Sequence, residues 1–309
     1  MKKKNKKIFI SVIAAVVLII SAVLTFGSKN TWKSFISKTD ENTAAIGQLA
    51  DSEAAAQPLS VHYIDVDQGD STLIRFGEYN ILIDCAKKAY SENVLTYLER
   101  LGVDSLDLVI GTHPDADHIG GFTDLFTQIK PKLYVLPQIS SKIEKTQTEL
   151  TLINTLKTMK ISTEYAINEK VYTFGEMKLT TYLTQSEHTD KNDYSVVAKV
   201  EYKNASYLFM GDAGKAVENE FMKLKDPLQA DILKAGHHGS SKSSSKKFVK
   251  YVSPEYCIFS CGADNDYGHP HSEVLEIMKK QKVQCYRTDI SGSIVIGSNG
   301  QNYFIATEK

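Results

Sequence analysis

The chain has 309 residues, of which 42% are hydrophobic and 24% are charged. This composition excludes a fully disordered, a collagen-like or a disulfide-framework protein, and the length allows one large domain or two ordinary ones. The net charge of −1 is unevenly distributed, because residues 1–58 carry +4 and the remaining residues therefore carry −5. A body with this acidic balance is not a generic basic nucleic-acid binder, so any polyanion it handles requires local cations or bound metal.

The N-terminus has the pattern of a membrane segment. Five lysines within residues 2–7 precede an uncharged run of 19 residues, 8–26. As a helix the run reaches roughly 28 Å, which matches one hydrocarbon core. We predict that residues 1–27 are an uncleaved membrane anchor, and a cleaved signal segment, which would make the protein secreted, is the alternative. The lysines favour the cytoplasmic side, so the rest of the chain is expected outside the cell membrane.

Residues 28–58 are predicted to form a flexible spacer, because they are rich in Ser, Thr, Ala, Lys and Asn. They lack an apolar stripe strong enough for a core of their own, and Pro58 ends any helix there. The body of the protein is therefore predicted to be one domain over residues 59–309.

The body alternates strands and helices. Three early strands are separated by turns at Gly69 and at residues 77–78. The later pattern of βα units, further strands and βα units again indicates an α/β fold of two sheets covered by outer helices. The predicted strands are 61–66, 71–76, 79–84, 106–110, 178–183, 195–202, 206–210, 231–233, 257–260 and 294–296, and the predicted helices are 91–101, 149–159, 213–224, 244–252 and 272–280.

The cysteines do not have the spacing of a zinc site. A disulfide is allowed outside the cytoplasm, but buried free thiols are the preferred interpretation. The four residues are Cys85, Cys257, Cys261 and Cys285.

A dense polar motif follows the predicted strand 106–110. It holds His113, Asp115, Asp117 and His118 within six residues. A capping turn needs one Asp and neither His, so this density at the carboxyl end of a strand is typical of metal ligands. Asp117 and His118 can face one metal position while His113 and Asp115 face another.

Two further segments place polar residues after strands. Asp212 follows the predicted strand 206–210, and beside the first motif it is a candidate bridging carboxylate. His237 and His238 lie in a glycine loop after a short strand. Adjacent histidines in such a loop are rarely core residues, so one is expected to bind metal while the other reaches substrate or donates a proton.

The motifs T-H-P-D-A-D-H-I-G-G, F-M-G-D-A and L-K-A-G-H-H-G-S resemble those of the metallo-β-lactamase fold. The nearer resemblance is to the extracellular hydrolase domain of the DNA-uptake protein ComEC and its stand-alone relatives. It is supported by D-V-D-Q-G-D-S at 65–71, Y-G-H-P-H at 267–271 and R-T-D-I-S-G-S-I at 287–294. The similarity covers about residues 60–305.

The resemblance implies an αββα sandwich, preceded by the one membrane helix, with one or two divalent ions, Zn²⁺ or Mn²⁺, at the sheet edge. An expected ligand histidine is missing, since Asn192 stands near its place and His188 is a weaker candidate. Asp67 replaces a usual glycine, and Asp84 fits a carboxylate that orients a histidine ligand. The residues that match the family's metal positions are His113, Asp115, Asp117, His118, Asp212 and His237.

The implied chemistry is hydrolysis by metal-activated water. Asp117 is expected to hold metal and steer the water, and His238 or His269 to protonate the leaving group or bind a phosphate oxygen. A stretch rich in serine and lysine begins at Ser240 and either holds a phosphate backbone or caps a helix. Seven further residues are predicted to bind substrate or support the site: Asp65, Gln68, Asp70, Asp84, Asn192, Ser240 and His271. For Asp65, Gln68 and Asp70 the alternative is that they cap the adjacent turn.

Three functions follow from these motifs and remain open. The first is a membrane-anchored, metal-dependent phosphodiesterase, above all a nuclease acting on extracellular DNA. The second is a phosphoesterase for a cell-wall polymer or its phosphocholine decoration, with which an acidic body is more easily reconciled. The third is a metal-binding interaction module that has lost activity, against which the nearly complete motifs argue. No protein partner can be read from the sequence, and one hydrophobic span cannot form the ComEC channel alone.

Overall fold

The computed structural model describes residues 45–224 and 227–309. Within these residues, no helix is long and apolar enough to cross a membrane. The predicted membrane segment, residues 1–27, and the first part of the predicted spacer lie outside the described residues. Residues 45–47 belong to an N-terminal unit, and a second unit, Gln48–Lys309, contains all the elements named below.

The first sheet has eight strands in the order β15-β14-β1-β2-β3-β4-β5-β6. Pairing is antiparallel from β15 to β3 and parallel from β3 to β6. The strands are β1 (Leu59–Tyr63), β2 (Thr72–Phe76), β3 (Tyr79–Ile83), β4 (Leu108–Ile110), β5 (Tyr134–Leu136), β6 (Thr163–Tyr165), β14 (Ile294–Ser298) and β15 (Tyr303–Thr307).

The second sheet has seven strands in the order β13-β12-β11-β10-β9-β8-β7. The strands from β10 to β13 are parallel to one another, and those from β7 to β10 pair antiparallel. The strands are β7 (Lys170–Phe174), β8 (Met177–Tyr182), β9 (Val197–Tyr202), β10 (Ala205–Phe209), β11 (Ile232–Lys234), β12 (Tyr256–Phe259) and β13 (Gln284–Arg287).

Helices connect the parallel strands, as a parallel sheet requires. In addition, short 3₁₀ turns span Lys88–Tyr90, Lys191–Tyr194 and Gly236–Gly239. The α-helices are α1 (Ser91–Arg100), α2 (Ala116–Ile119), α3 (Phe122–Gln128), α4 (Gln147–Thr158), α5 (Lys215–Phe221), α6 (Lys246–Val252), α7 (Ser272–Lys280) and α8 (Thr288–Ser291).

The two sheets pack face to face around a shared core. Val61 of the first sheet and Val200 of the second are fully buried in the same apolar cluster. The rings of Tyr63 and Phe209 come from opposite sheets, and their centroids lie 6.2 Å apart. Burial of these alternating apolar side chains removes both inner faces from water, which stabilises the sandwich.

Helices cover the outer faces of both sheets. Phe221 of α5 and Met278 of α7 belong to a second apolar cluster against the second sheet. On the first sheet, Phe122 and Phe126 of α3 contact the ring of Tyr134 edge-on. The order helix, sheet, sheet, helix confirms the predicted αββα sandwich.

The sequence pattern misses β5, β6, β7, β13 and β15, which are short or lie near sheet edges, where apolar alternation is weak. It also misses the helices α3 and α8, which are too short to show a helical period. The first predicted strand, 61–66, ends at Tyr63 because the chain turns there. Asp67 adopts φ 58°, a left-handed conformation that Asp tolerates better than most residues, so the loop keeps its turn without the usual glycine. The predicted helix 213–224 is shorter, spanning Lys215–Phe221.

All four cysteines are free, in agreement with the predicted free thiols. Three of them are buried, and Cys285 is half-buried. Burial raises the pKa of Cys285 to about 11, although Arg287 opposes this. A thiol with a raised pKa is a poor nucleophile, so it contributes to packing rather than to chemistry.

Candidate metal centre

Four strands lead into the candidate site. β4 precedes the loop that carries His113, and β10 precedes Asp212. β11 pairs parallel with β10 and leads into the loop of His237 and His238, and β12 pairs parallel with β11 and leads into Ser260. Because the carboxyl ends of parallel strands meet at one edge of a sheet, residues distant in sequence converge there.

Asp84 orients two histidines. It is 1% exposed and accepts hydrogen bonds from the backbone N–H of Thr112 (2.8 Å), from Thr112 Oγ1 (2.7 Å) and from His118 Nδ1 (2.7 Å). Since Thr112 Oγ1 donates to Asp84, it accepts from His113 Nδ1 at 3.1 Å. Both imidazoles therefore hold a proton on Nδ1, and their Nε2 lone pairs face the site.

His238 presents a third lone pair. Its Nδ1 lies 3.0 Å from the carbonyl oxygen of Ser260, which can only accept, so Nε2 is the bare nitrogen. His238 Nε2 lies 3.3 Å from His118 Nε2 and 3.6 Å from Asp117 Oδ2. Two lone pairs this close repel unless a cation lies between them. The structure thus brings His238, which was expected to reach substrate or donate a proton, among the predicted metal ligands.

Asp212 joins two groups of donors. Its Oδ1 lies 3.3 Å from His118 Nε2 and 3.7 Å from His238 Nε2. Its Oδ2 lies 3.7 Å from His113 Nε2 and 3.6 Å from His237 Nε2. Each carboxylate oxygen of Asp212 thus faces its own pair of imidazoles, so Asp212 could contribute one oxygen to each of two cations.

Each group is completed by one more carboxylate. Asp115 Oδ2 lies 3.7 Å from His113 Nε2, and Asp117 lies beside His238 as described above. We call the two groups the first and the second position. The first position consists of His113, Asp115, His237 and Asp212, and the second position consists of Asp117, His118, His238 and Asp212.

The residues present fit divalent cations. His113 Nε2 and Asp212 Oδ1 are buried and have no hydrogen-bond partner among the described residues. Burial raises the pKa of Asp212, but the surrounding imidazoles, His118 foremost, outweigh it and hold that pKa well below its usual range. Burial lowers the pKa of His118, but Asp212 and Asp84 outweigh it and hold that pKa well above its usual range. A proton thus occupies the second position without metal, and mixed nitrogen and oxygen donors suit Zn²⁺ or Mn²⁺.

Asp70 also approaches the second position. Ligand atoms of Asp70, His118, Asp212 and His238 lie within 4.8 Å of one another. However, Lys234 Nζ lies 2.9 and 3.0 Å from the two carboxylate oxygens of Asp70, and both side chains are buried. A metal would have to displace this ammonium, so we assign Asp70 to the support of the site rather than to its ligands.

The structure brings Asn192 to the site but not His188. Asn192 Nδ2 lies 3.5 Å from Asp212 Oδ2, a weak contact with the bridging carboxylate. His188 instead forms a hydrogen bond with Thr184 at 2.7 Å. His188 therefore does not supply the histidine that is missing from the sequence pattern, and Asn192 stands at that side of Asp212.

Lys191 is a functional candidate that sequence reasoning missed. It forms an ion pair with Asp115, so its ammonium competes with any cation in the first position. Burial raises the pKa of Asp115, although the hydrogen bond from Lys191 opposes this. The position of Lys191 beside Asn192 in the sequence could have indicated this role. The carbonyl group of Ser260 that fixes His238 belongs to the backbone, so no residue type could have indicated it.

The two adjacent histidines are separated by an unusual backbone. His237 and His238 have φ 51° and 54°, and each such residue costs about 1–3 kcal/mol. Their ring planes consequently differ by 81°, with centroids 6.1 Å apart. Gly239 follows with φ 86°, and a Cβ there would meet Pro270 Cβ at 2.5 Å. This turn allows the neighbouring imidazoles of His237 and His238 to face different oxygens of Asp212.

The donors open into a cleft of about 140 Å³, which Gln68, Tyr267 and His269 also line. Burial and the neighbouring histidines lower the pKa of His269 to about 4, so its ring is neutral at pH 7. A larger cavity of about 440 Å³ borders His113 between β5 and α4. Its walls are mainly apolar, so the chemistry belongs to the smaller cleft.

Three predicted rim residues do not line this cleft. Asp65 Oδ1 accepts from the backbone of Asp67 at 3.2 Å, and Ser240 Oγ accepts from the backbone of Lys242 at 3.3 Å, so both stabilise turns. Both ring nitrogens of His271 form hydrogen bonds with backbone groups.

Comparison with known proteins agrees with this geometry. A family model described as "Metallo-beta-lactamase superfamily" matches residues 64–262. "ComE operon protein 3" of Bacillus subtilis (strain 168) is 28% identical over 256 residues, which cover 76% of this chain and 32% of that protein. "Competence protein ComA" of Neisseria gonorrhoeae is 28% identical over 236 residues, covering 75% of this chain and 31% of that protein. The chain spans about a third of the length of these curated relatives.

Two solved structures share the fold. The metallo-beta-lactamase fold protein YhfI from Bacillus subtilis is 13% identical, with a TM-score of 0.50 over 80% of this chain and 100% of that chain. CmlA, a diiron beta-hydroxylase from Streptomyces venezuelae, is also 13% identical, with a TM-score of 0.52 over 75% of this chain and 53% of that chain. At these identities the likeness concerns the fold alone, because one fold supports different chemistries.

Proposed function

The chain belongs to the metallo-beta-lactamase superfamily, and from this premise we propose that it is a metal-dependent phosphodiesterase that acts on DNA. The observation that carries the proposal is the convergence of four imidazoles on the two oxygens of Asp212. Hydrolases of this kind need a rigid set of donors around a cleft that substrate can enter.

The residues of the two positions supply that set. Divalent cations, when bound, lower the pKa of water and polarise a phosphoryl oxygen. Asp84 and Thr112 keep two of the Nε2 lone pairs aimed at the site. Burial raises the pKa of Asp117, but the neighbouring imidazoles, His238 foremost and His118, outweigh it and hold that pKa below its usual range. Asp117 is therefore ionised at neutral pH and can accept a hydrogen bond from the attacking water.

His269 is our candidate for proton transfer. Its ring lines the cleft and is stacked on that of His238, with centroids 6.0 Å apart. The Nδ1 atom of His269 has no hydrogen-bond partner among the described residues, and the ring is neutral at pH 7. The free Nδ1 atom can accept a proton released in the reaction and return it to the leaving oxygen, although the lowered pKa makes the ring a weak base. His238 suits this role less well, because its Nδ1–H is already donated to Ser260.

DNA is proposed as the substrate because the matched relatives include a protein named for competence. The relatives are about three times as long as the matched part, so their complete activity is not carried over. A second candidate substrate is a cell-wall polymer or its phosphocholine decoration. The net charge of −5 over residues 59–309 favours it, since such a body repels a long polyanion.

We further propose that residues 1–27 anchor the protein in the cell membrane and that residues 59–309 lie outside. The support is the run of lysines before an uncharged segment of membrane length.

The test uses the full chain in detergent, stripped of metal with a chelator and reloaded with Mn²⁺, Zn²⁺ or Mg²⁺ singly. Single-stranded DNA, duplex DNA and bis(p-nitrophenyl) phosphate are the substrates. We expect metal-dependent cleavage of DNA that Asp117→Asn lowers by at least about a hundredfold.

Asp104→Asn is the matched control, because Asp104 is an exposed carboxylate outside the cleft. Cleavage of the small diester without DNA cleavage would overturn DNA as the substrate and favour a wall polymer. Metal binding without any turnover would overturn the hydrolase and favour an interaction module.

A further inference from the structure

Three stacked rings lead from the second position to the mouth of the cleft. His238 and His269 are nearly parallel, with centroids 6.0 Å apart and planes at 26°. Tyr267 continues the stack on His269 at 5.5 Å and 18°. Tyr267 is 61% exposed although it lines the cleft, so one face of its ring is covered by His269 while the other is open to solvent.

The loop that carries Tyr267 is held by its own side chains. Asn265 Oδ1 accepts from the backbone of His269 at 3.0 Å, and Asn265 Nδ2 donates to the carbonyl oxygen of His269 at 2.7 Å. His271 Nδ1 accepts from the backbone of Ser241 at 2.8 Å, so its Nε2 donates to the carbonyl oxygen of Tyr267 at 3.0 Å. The backbone that carries the exposed ring is therefore held in place, which lowers the entropy cost of stacking on the ring. His271 is a positioning residue for Tyr267.

We propose that Tyr267 is a stacking platform for one unpaired nucleobase beside the phosphodiester that is cleaved. This inference rests on the proposed function and names the part of the substrate that the cleft recognises. Every base has a π-face, so a platform of this kind binds single strands with little sequence preference. In a duplex the bases are already stacked on both faces, so single-stranded DNA is expected to be the better substrate.

A phosphocholine group is the competing ligand, since quaternary ammonium groups bind to aromatic faces. Such groups are held in cages of several aromatic rings. Among the residues that line this cleft, Tyr267 is the one large aromatic side chain, and its neighbours are histidines and carboxylates. A single open face suits a flat base better than a rounded cation.

The test is a double-mutant cycle with the full chain in detergent and short single-stranded oligonucleotides, each with one abasic site. In the wild type, an abasic site at one position next to the cleaved bond should raise KM about tenfold. Tyr267→Ala should raise KM for the intact strand by a similar factor and be insensitive to the abasic site. Tyr267→Phe should behave as the wild type, because it keeps the ring.

Tyr165→Ala is the matched control, because Tyr165 is a 60% exposed tyrosine outside this cleft. Equal sensitivity of wild type and Tyr267→Ala to every abasic site would overturn the platform. So would an effect of Tyr267→Ala on glycerophosphocholine rather than on DNA.

A measurement without turnover separates this inference from the proposed function. Calorimetric binding of deoxyadenosine monophosphate should be about tenfold tighter than that of deoxyribose 5-phosphate, and Tyr267→Ala should abolish the difference. If the preference is present but no phosphodiester is cleaved, the proposed function fails and the platform stands. If both ligands bind equally to the wild type, the platform fails.

Discussion

His118 Nε2 lies 3.3 Å from His238 Nε2, although 120 positions separate the two histidines in the chain. Each ring is fixed at its other nitrogen, His118 by Asp84 and His238 by the carbonyl oxygen of Ser260. Neither ring can turn away without leaving a buried polar group unsatisfied. The pair is therefore preorganised to share a cation.

Removal of one member of this pair should weaken metal binding. We expect His238→Ala to lower the affinity for Zn²⁺ or Mn²⁺ at least tenfold, because the second position loses one of its four donors. Isothermal titration calorimetry of the metal-free chain measures this. His188→Ala, which changes a histidine outside both positions, should bind metal as the wild type does. An unchanged affinity in His238→Ala would show that this residue is not a ligand.

Lys191 should lower the affinity of the first position for a metal ion. Its ammonium is paired with Asp115, so Lys191→Ala removes a competing positive charge and should tighten the weaker metal-binding step about three- to tenfold. The same titration resolves the two steps. Lys142→Ala is the control, since Lys142 forms an exposed ion pair with Glu187 at 3.2 Å. A loss of affinity in Lys191→Ala would mean instead that Lys191 holds Asp115 in place.

The metal-free protein should lose stability as the pH rises from 6.5 to 8. The pKa values of His118 and His238 are raised in the fold because the attraction of Asp212 outweighs burial. Protonation of these residues therefore stabilises the fold fully below the unfolded pKa of about 6.5, and the contribution fades as the pH approaches the raised values. The pKa of His113 is lowered to about 4, so His113 changes the stability only below pH 6.5 and has no effect between pH 6.5 and 8.

Melting temperatures at several pH values in this window test the expectation. Saturating Zn²⁺ should abolish the decline, because the metal replaces the proton between the two rings. A metal-free protein whose melting temperature stays constant or rises over the window would contradict the assignment.

Gly239→Ala should destabilise the loop of His237 and His238 for two reasons, its positive φ and a steric clash of the new Cβ. The new Cβ meets Pro270 Cβ at 2.5 Å, so the loop must shift and metal affinity should fall along with stability. Gly77→Ala is the matched control, because Gly77 also has a positive φ but has no heavy atom within 4 Å of the added Cβ. It should cost about 1 kcal/mol and leave metal binding unchanged. Equal effects of the two substitutions would remove the steric argument.

The local part of the site could be predicted from the sequence. His113, Asp115, Asp117 and His118 lie within six residues after a buried strand, so neighbours in the chain are also neighbours in space. The position of Asp212 followed from the same rule, because it too comes directly after a strand. His188 was a poor candidate for the missing ligand, since proximity in sequence to Asn192 does not place its ring in the cleft.

The sequence by itself thus determined two sheets covered by helices and the loop of metal-binding motifs, because strand periodicity and loop composition are local properties. It favoured free thiols but left a disulfide open, because cysteine spacing does not fix pairing. Only the tertiary structure decided that His237 and His238 serve opposite oxygens of Asp212, that Lys191 shares Asp115 and that His271 supports Tyr267. These relationships depend on the sign of a backbone angle and on contacts between segments far apart in the chain. They are set by packing, which no single stretch of residues encodes.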